Sequence, residues 1–208
     1  MAHGQAFLLR MFGSGPLVHY YYMGMERAET LEGSGALSRV RAGDREAFTA
    51  IVRQFQSPIV TYLFRLTGDG ELARDLAQDT FIRAYKALAR TTPDLPLKTW
   101  LYRIATNNAL QYHRRKAIVS FVPLDDDLRT IAHVDPAQKA TEAAAVHEAL
   151  LKVPKSLRIC MVLHFVDGFR HREIATMLGV SEDAVRMRVA RGCEEFRKQY
   201  SASGGDFR

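Results

Sequence analysis

HREIATMLGVSEDAVRMRVARGCEEFRK, residues 171–198, reads as two amphipathic helices joined by a tight turn. Ile174, Ala175, Leu178, Val180, Val185 and Val189 are spaced to pack one helix across the other, with Gly179 as the stop of the first and Ser181 as the N-cap of the second. A bracing helix, a short turn and a second helix with a polar outer face form the helix-turn-helix pattern, whose second helix enters the DNA major groove. Once the apolar face is assigned, Glu182, Asp183, Arg186, Met187 and the flanking Arg191 remain outside. Arg186 suits bidentate bonds to guanine, Arg172 and Arg191 suit phosphate oxygens, and Arg188 suits either role. Glu194, Glu195, Arg197 and Lys198 read as a solvated face. A helical hairpin that only meets water would not need so tight a turn. The module points to DNA without saying what is done there.

Upstream, the helical pattern of this second module begins near Ala140, turns at Pro154 and continues through SLRICMVLHFVDG. It is preceded by SFVPLDDDLRTIAHVDPAQ, which has no sustained period, two prolines and an acidic cluster, and reads as a linker. Before the linker lies a first helical module. Phe48, Ile51, Val52 and Phe55 follow i, i+3, i+4, i+7 spacing, Asp44 is a good N-cap and Gly68 a good stop, while Pro58 is expected to start a new turn or bend the helix. A helix from about Glu71 to Leu88, a loop at TTPDLP and a helix from about Leu97 to Lys116 follow. No strand-period alternation is strong enough to require a sheet, and there is no internal repeat. The expected fold is all-α: two small helical domains joined by a flexible linker, the C-terminal one a helix-turn-helix module of four helices.

The first module changes electrical character along its length. Glu71, Asp75 and Asp79 fall at i, i+4, i+8 on one helix, whereas Leu95 through Leu124 contains no Asp or Glu but holds Lys98, Arg103, Arg114, Arg115 and Lys116. An acidic face would repel phosphates and suits a basic protein surface, although Arg74 and Arg83 also neutralise it in part, and Glu71 reads as simply solvated. The acid-free helix adds Trp100, Tyr102, Asn107, Asn108, Gln111, Tyr112 and His113. Cations there hold a nucleic-acid backbone, amides read base edges and rings stack on bases. Trp100 is open to two readings, core or base contact, because Trp100, Leu101, Ile104 and Ala105 all have burying spacing.

Composition agrees with this division. The 208 residues are 47% hydrophobic, enough for compact helical cores, and the net charge of +6 with a pI near 9.5 favours a polyanion partner. Only Cys160 and Cys193 occur, which suits a reducing cytoplasm rather than a disulfide framework. Cys160 and His164 stand at i, i+4, but with no second ligand pair they read as core packing, so no metal site is expected. The apolar patches of residues 1–34 are broken by Arg10, Gly13, Gly15 and Pro16, so neither membrane insertion nor a signal peptide is expected, and a flexible tail is the default even with Tyr20, Tyr21 and Tyr22 as a docking alternative. His113, His133, His147, His164 and His171 are scattered and form no catalytic signature, so neither enzymatic activity nor a cofactor is expected.

DREAFTAIVRQFQSPIVTYLFRLTGDGELARDLAQDTFIRAYKAL followed by KTWLYRIATNNALQYHRR resembles region 2 of the extracytoplasmic-function (ECF) sigma factors of bacterial RNA polymerase, and LLKVPKSLRICMVLHFVDGFRHREIATMLGVSEDAVRMRVARGCEEFR resembles their region 4. The resemblance covers about Leu37 to Lys198. It implies a tail at 1–34, region 2 at 35–116, a linker at 117–139, region 4 at 140–200 and a tail at 201–208. It further implies that Asp75, Leu76, Gln78, Asp79 and Phe81 bind the β′ clamp helices of core RNA polymerase, with the β flap as a second polymerase contact. The Thr91–Leu97 loop and Lys98, Trp100, Arg103, Asn107, Asn108, Gln111, Arg114 and Arg115 would serve the promoter −10 element. Arg172, Ser181, Glu182, Asp183, Arg186, Met187, Arg188 and Arg191 would serve the −35 element. The linker with Asp125, Asp126 and Asp127 would thread polymerase channels, and an anti-sigma factor is a further implied partner. Where many relatives have a small uncharged residue and Gly, this chain has Glu182 and Asp183, so a relative's −35 sequence does not transfer to it. The rival function is a one-component helix-turn-helix regulator that binds its operator without polymerase.

Overall fold

The computed structural model describes residues 35–88, 95–119 and 142–203, and all regular structure among them is helical. The helices are α1 (Ala36–Arg41), α2 (Arg45–Thr67), α3 (Gly70–Leu88), α4 (Leu97–Val119), α5 (Glu142–Lys152), α6 (Lys155–Met161, continued by a π-helical turn at Val162–Val166), α7 (His171–Leu178) and α8 (Glu182–Ala202). The expected tail at 1–34, residues 120–139 of the linker expected at 117–139 and residues 91–94 of the Thr91–Leu97 loop lie outside the described residues, while residues 117–119 continue α4 rather than open the linker.

The expected helix signals act as local chemistry demands. Asp44 Oδ1 accepts from the N–H groups of Glu46 (2.9 Å) and Ala47 (3.1 Å), two donors that the first turn of α2 would otherwise leave unsatisfied. The Ala47 N–H, then the Arg39 guanidinium, favour the carboxylate and hold Asp44 below its ordinary pKa. Gly68 ends α2 at φ 74°, a left-handed conformation that glycine adopts without Cβ strain. Of the two outcomes expected at Pro58, a new turn does not form: α2 runs unbroken through it from Arg45 to Thr67. An interior proline costs about 3 kcal/mol, but Phe55, Ile59, Tyr62 and Leu63 are buried on either side, and each such side chain contributes roughly 1.5–3 kcal/mol.

The first module packs Ile51, Phe55, Ile59 and Leu63 of α2 against Ala73, Ala77, Ala84 and Leu88 of α3 and Leu101, Ala105 and Ala109 of α4. Its few buried polar groups are wired together. Tyr62 Oη and Thr106 Oγ1 lie 2.7 Å apart, Thr106 Oγ1 donates to Tyr102 O, and Asn108 Nδ2 donates to Thr80 Oγ1 at 3.0 Å.

In the second module Val146, Leu150, Ile159, Leu163, Ile174, Val185, Val189 and Phe196 form the centre. Arg158 is 1% exposed there, donates from Nη1 to Leu151 O at 2.8 Å, and burial lowers its pKa to about 10. Cys160 and Cys193 are free and buried; desolvation raises both thiols, Cys193 to about 11. His164 stacks on His171 at 4.2 Å, and among the described residues no three His, Cys, Asp or Glu side chains are grouped so that they could hold a metal ion.

At Gly192 α8 lies close against α6. A Cβ there would sit 2.5 Å from Met161 Sδ and 2.7 Å from its Cγ. Gly192→Ala gains about 1 kcal/mol of helix propensity but overpacks a site where such strain costs about 1–3 kcal/mol. We therefore expect a lower thermal midpoint by calorimetry. Adding Met161→Ala should destabilise less than the two changes summed, since they share one space.

The modules also meet each other. α4 packs on α7, and α2 packs on α5 and α6. Phe64 of α2 stacks on His147 of α5 at 4.5 Å, and Tyr102 of α4 meets Phe169 edge-on at 4.9 Å.

Candidate functional site

On α3 the helical period sorts the expected protein-binding residues by side. Asp75, Gln78 and Asp79 are exposed, while Leu76 and Phe81 are each only 7% exposed and belong to the core. Their place on the outer face is taken by Ile82, 44% exposed, three residues beyond Asp79 and four beyond Gln78. That spacing was available in the sequence; an isoleucine among apolar neighbours simply looks like core. Asp79 is 3.7 Å from Arg83, and Glu71 pairs with Arg74. Beside this face, α2 and α3 leave a groove of about 810 Å³ lined by Phe48, Val52, Gln78, Phe81, Ile82 and Tyr85, among others, with Arg45, Arg74 and Lys86 also on its walls.

On α4, Asn107, Arg114 and Arg115 are exposed, and Lys98, Arg103 and Gln111 are half-buried. Gln111 Oε1 accepts from Arg83 Nη1 at 3.2 Å, which ties this helix to α3. Trp100 is buried at 6% and Asn108 at 3%, so the first of the two readings of Trp100, core, is the one adopted, and Asn108 is turned inward onto Thr80. A polar residue among polar neighbours carries no local sign that it faces a buried threonine 28 residues away. His113 is held neutral, its pKa lowered to about 4 by burial and then by Lys155, Arg158 and Lys116. The positive charge at this end of α4 therefore comes from Arg114, Arg115 and Lys116 alone among its neighbours in sequence.

The second module builds the turn as the sequence expects. Gly179 takes φ 66° and its N–H donates to Ala175 O, and Ser181 Oγ accepts from Ala184 N at 3.1 Å. Ser181 thus serves as a cap. Arg172, Glu182, Asp183, Arg186, Met187 and Arg191 are exposed, Met187 at 53%. Arg188 is half-buried, with its guanidinium in hydrogen-bonding reach of the Cys160 thiol. Arg186 Nη2 lies 2.8 Å from Asp183 Oδ1 and 4.0 Å from Glu182 Oε1, so the exposed acids of the first turn hold the one arginine best placed for a base. Surface pairs of this kind are weak, worth about 0–1 kcal/mol, and easily exchanged for a stronger partner.

Three separated surfaces result: an acidic face with an apolar member, an acid-free cationic helix, and a helix-turn-helix with mixed charge. The family descriptions that match are Sigma-70 region 2 over residues 51–118 and Sigma-70, region 4 over residues 143–196. RNA polymerase sigma-H factor of Pseudomonas aeruginosa is 32% identical over 174 residues, covering 78% of this chain and 90% of that one. ECF RNA polymerase sigma factor SigW of Bacillus subtilis is 29% identical over 175 residues, covering 78% and 94%. The solved structure of the sigma factor RpoE from Bartonella quintana shares the fold, with a TM-score of 0.62 at 19% identity over 75% of this chain and 98% of that one. With both regions in order and nearly the full length of its relatives matched, the chain belongs to the ECF family of RNA polymerase sigma factors, the alternative sigma factors that direct transcription initiation.

Proposed function

We propose that the chain grips core RNA polymerase through the outer face of α3, meets the −10 element with α4 and reads the −35 element with α8. The observation that carries this is the separation of charge: Asp75 and Asp79 stand exposed on α3, while the exposed residues of α4 include Asn107, Arg114 and Arg115 and no acid. The first face suits a basic protein surface, the second an anionic strand. Ile82 supplies an apolar contact at the edge of the acidic face, one turn beyond Gln78 and Asp79. On this reading region 2 spans about 35–116 and region 4 about 140–200, and the chain acts by binding, without catalysis or cofactor of its own.

RpoE from Bartonella quintana is seen in complex with the anti-sigma factor NepR, and we extend an anti-sigma partner to this chain. The groove beside Ile82 and Tyr85 is a surface on which such a partner would compete with polymerase. A chain that works with polymerase acts in the cytoplasm, and no helix among the described residues is long and apolar enough to cross a membrane.

Run-off transcription with purified core polymerase on a library of genomic promoters tests the reading. The chain should add transcripts from a small promoter set that core polymerase alone does not make; no new transcript from any promoter would overturn it. Within that assay, Asn107→Ala should change −10 preference, because Asn107 is exposed, while Asn108→Ala should instead lower stability by about 1–3 kcal/mol, because it leaves buried groups unpaired.

A further inference from the structure

We propose that Met187 reads the methyl group of a thymine in the −35 element, at the middle of the face that α8 turns to the major groove. The function proposed above, on which this inference rests, brings α8 to the DNA; Met187 adds a choice of base. Of the large apolar side chains exposed among the described residues, Ile82 and Tyr85 share the groove on α3, whereas Met187, 53% exposed, stands apart on the second module. Val185, Val189 and Phe196 bury the opposite side of α8. That burial fixes the outward stripe: Asp183 lies one turn before Met187, Arg191 one turn after it, and Arg186 and Ala190 flank it, all exposed.

The chemistry of the side chain selects its partner. A thioether has no N–H or O–H to donate and is a weak acceptor, so it does not discriminate among the donors and acceptors that base edges present. The major groove offers one apolar group of matching size, the methyl on C5 of thymine. Met187 is unbranched and adaptable enough to cover it. Its neighbours favour a close, dry contact: Ala190 is short, and the half-buried Ala184, three residues before Met187, extends the apolar strip.

The place of the thymine follows from the neighbouring residue. Arg186 is displaced from Met187 by about 1.5 Å along the axis and about 100° around it, and it suits a guanine. Guanine pairs with cytosine, so the thymine belongs to an adjacent base pair. A protein surface would also cover an exposed methionine. Met187, however, lies within the first two turns of α8, which starts at Glu182, and this is the part of a recognition helix that meets base edges. Arg191, one turn further on, suits the phosphates beside them.

The test is binding of the holoenzyme to promoters recovered from the run-off library, with uracil replacing thymine one position at a time on both strands of the −35 element. Uracil lacks only the methyl. One replacement should weaken binding of the wild type about fourfold, the effect of one methylene-sized apolar contact, and should have no effect in Met187→Ala; Met187→Leu should keep the loss. Cytosine at the same position should bind about fourfold tighter once methylated on C5. Both variants should fold, because the side chain is exposed and both residues are good helix formers. If no thymine methyl matters, or if wild type and Met187→Ala lose equally on its removal, the contact is overturned. Weaker assembly of Met187→Ala with core polymerase, with the uracil loss intact, gives the side chain to a protein surface and also overturns it. A holoenzyme that binds no promoter at all overturns the functional reading, and the methyl contact with it.

Discussion

Reversing Asp75 and Asp79 to Lys together is expected to weaken binding to core RNA polymerase at least about 100-fold, measured by fluorescence anisotropy at about 0.15 M salt. Both carboxylates are exposed on the outer face of α3, one turn apart, with Gln78 and Ile82 between and beyond them. Reversal changes four units of charge at the proposed contact. Like charges set against each other across an interface cost several kcal/mol, and about 2.7 kcal/mol already corresponds to 100-fold. The fold should survive, because the one ion pair lost, Asp79 with Arg83, is an exposed pair at 3.7 Å whose contribution is about 0–1 kcal/mol. Wild-type affinity for core polymerase in a folded double variant would remove α3 from the polymerase contact.

Arg186→Ala is expected to cost about 1–3 kcal/mol at one base pair of the −35 element and little elsewhere. In the free chain Arg186 is held by Asp183 and Glu182 on its own helix. A guanine edge offers two acceptors in the plane of the guanidinium and replaces that pair with a bidentate contact. Competition binding of the holoenzyme to promoters altered one base pair at a time separates the outcomes. A loss concentrated at one position marks a base reader. A uniform loss, with the salt dependence reduced by about one charge, marks a phosphate contact. Removing the two acids should act in the opposite sense, strengthening binding to all sequences, since phosphates repel carboxylates at the groove edge.

The helices themselves were largely legible in the sequence, because their signals are local. Asp44, Gly68, Gly179 and Ser181 each do in space what their side chains dictate within three or four residues. What could not be read was the rotation of a helix about its axis and the contacts made at long range. A turn of 100° per residue separates Phe81, buried, from Ile82, exposed, and only packing against α2 chooses between them. Asn108 and Asn107 differ in the same way. Pro58 stays inside α2 because its local cost is outweighed by apolar burial on both sides of it. Nothing in the neighbourhood of Asp167 announces Tyr102 or Lys98, which lie far away in the chain and come together only when both modules have formed. The charge contrast of α3 and α4 survives as a surface property, because charged side chains seldom leave water and so report their own exposure.

The two thiols turn the second module into its own stopwatch. Alkylating reagents attack thiolates, and Cys160 and Cys193 are enclosed and hold their protons, while residues 35–119 contain no cysteine at all. Labelling of the unaltered chain therefore times only the moments when the DNA-reading half comes apart, and the polymerase-gripping half stays silent in the same tube.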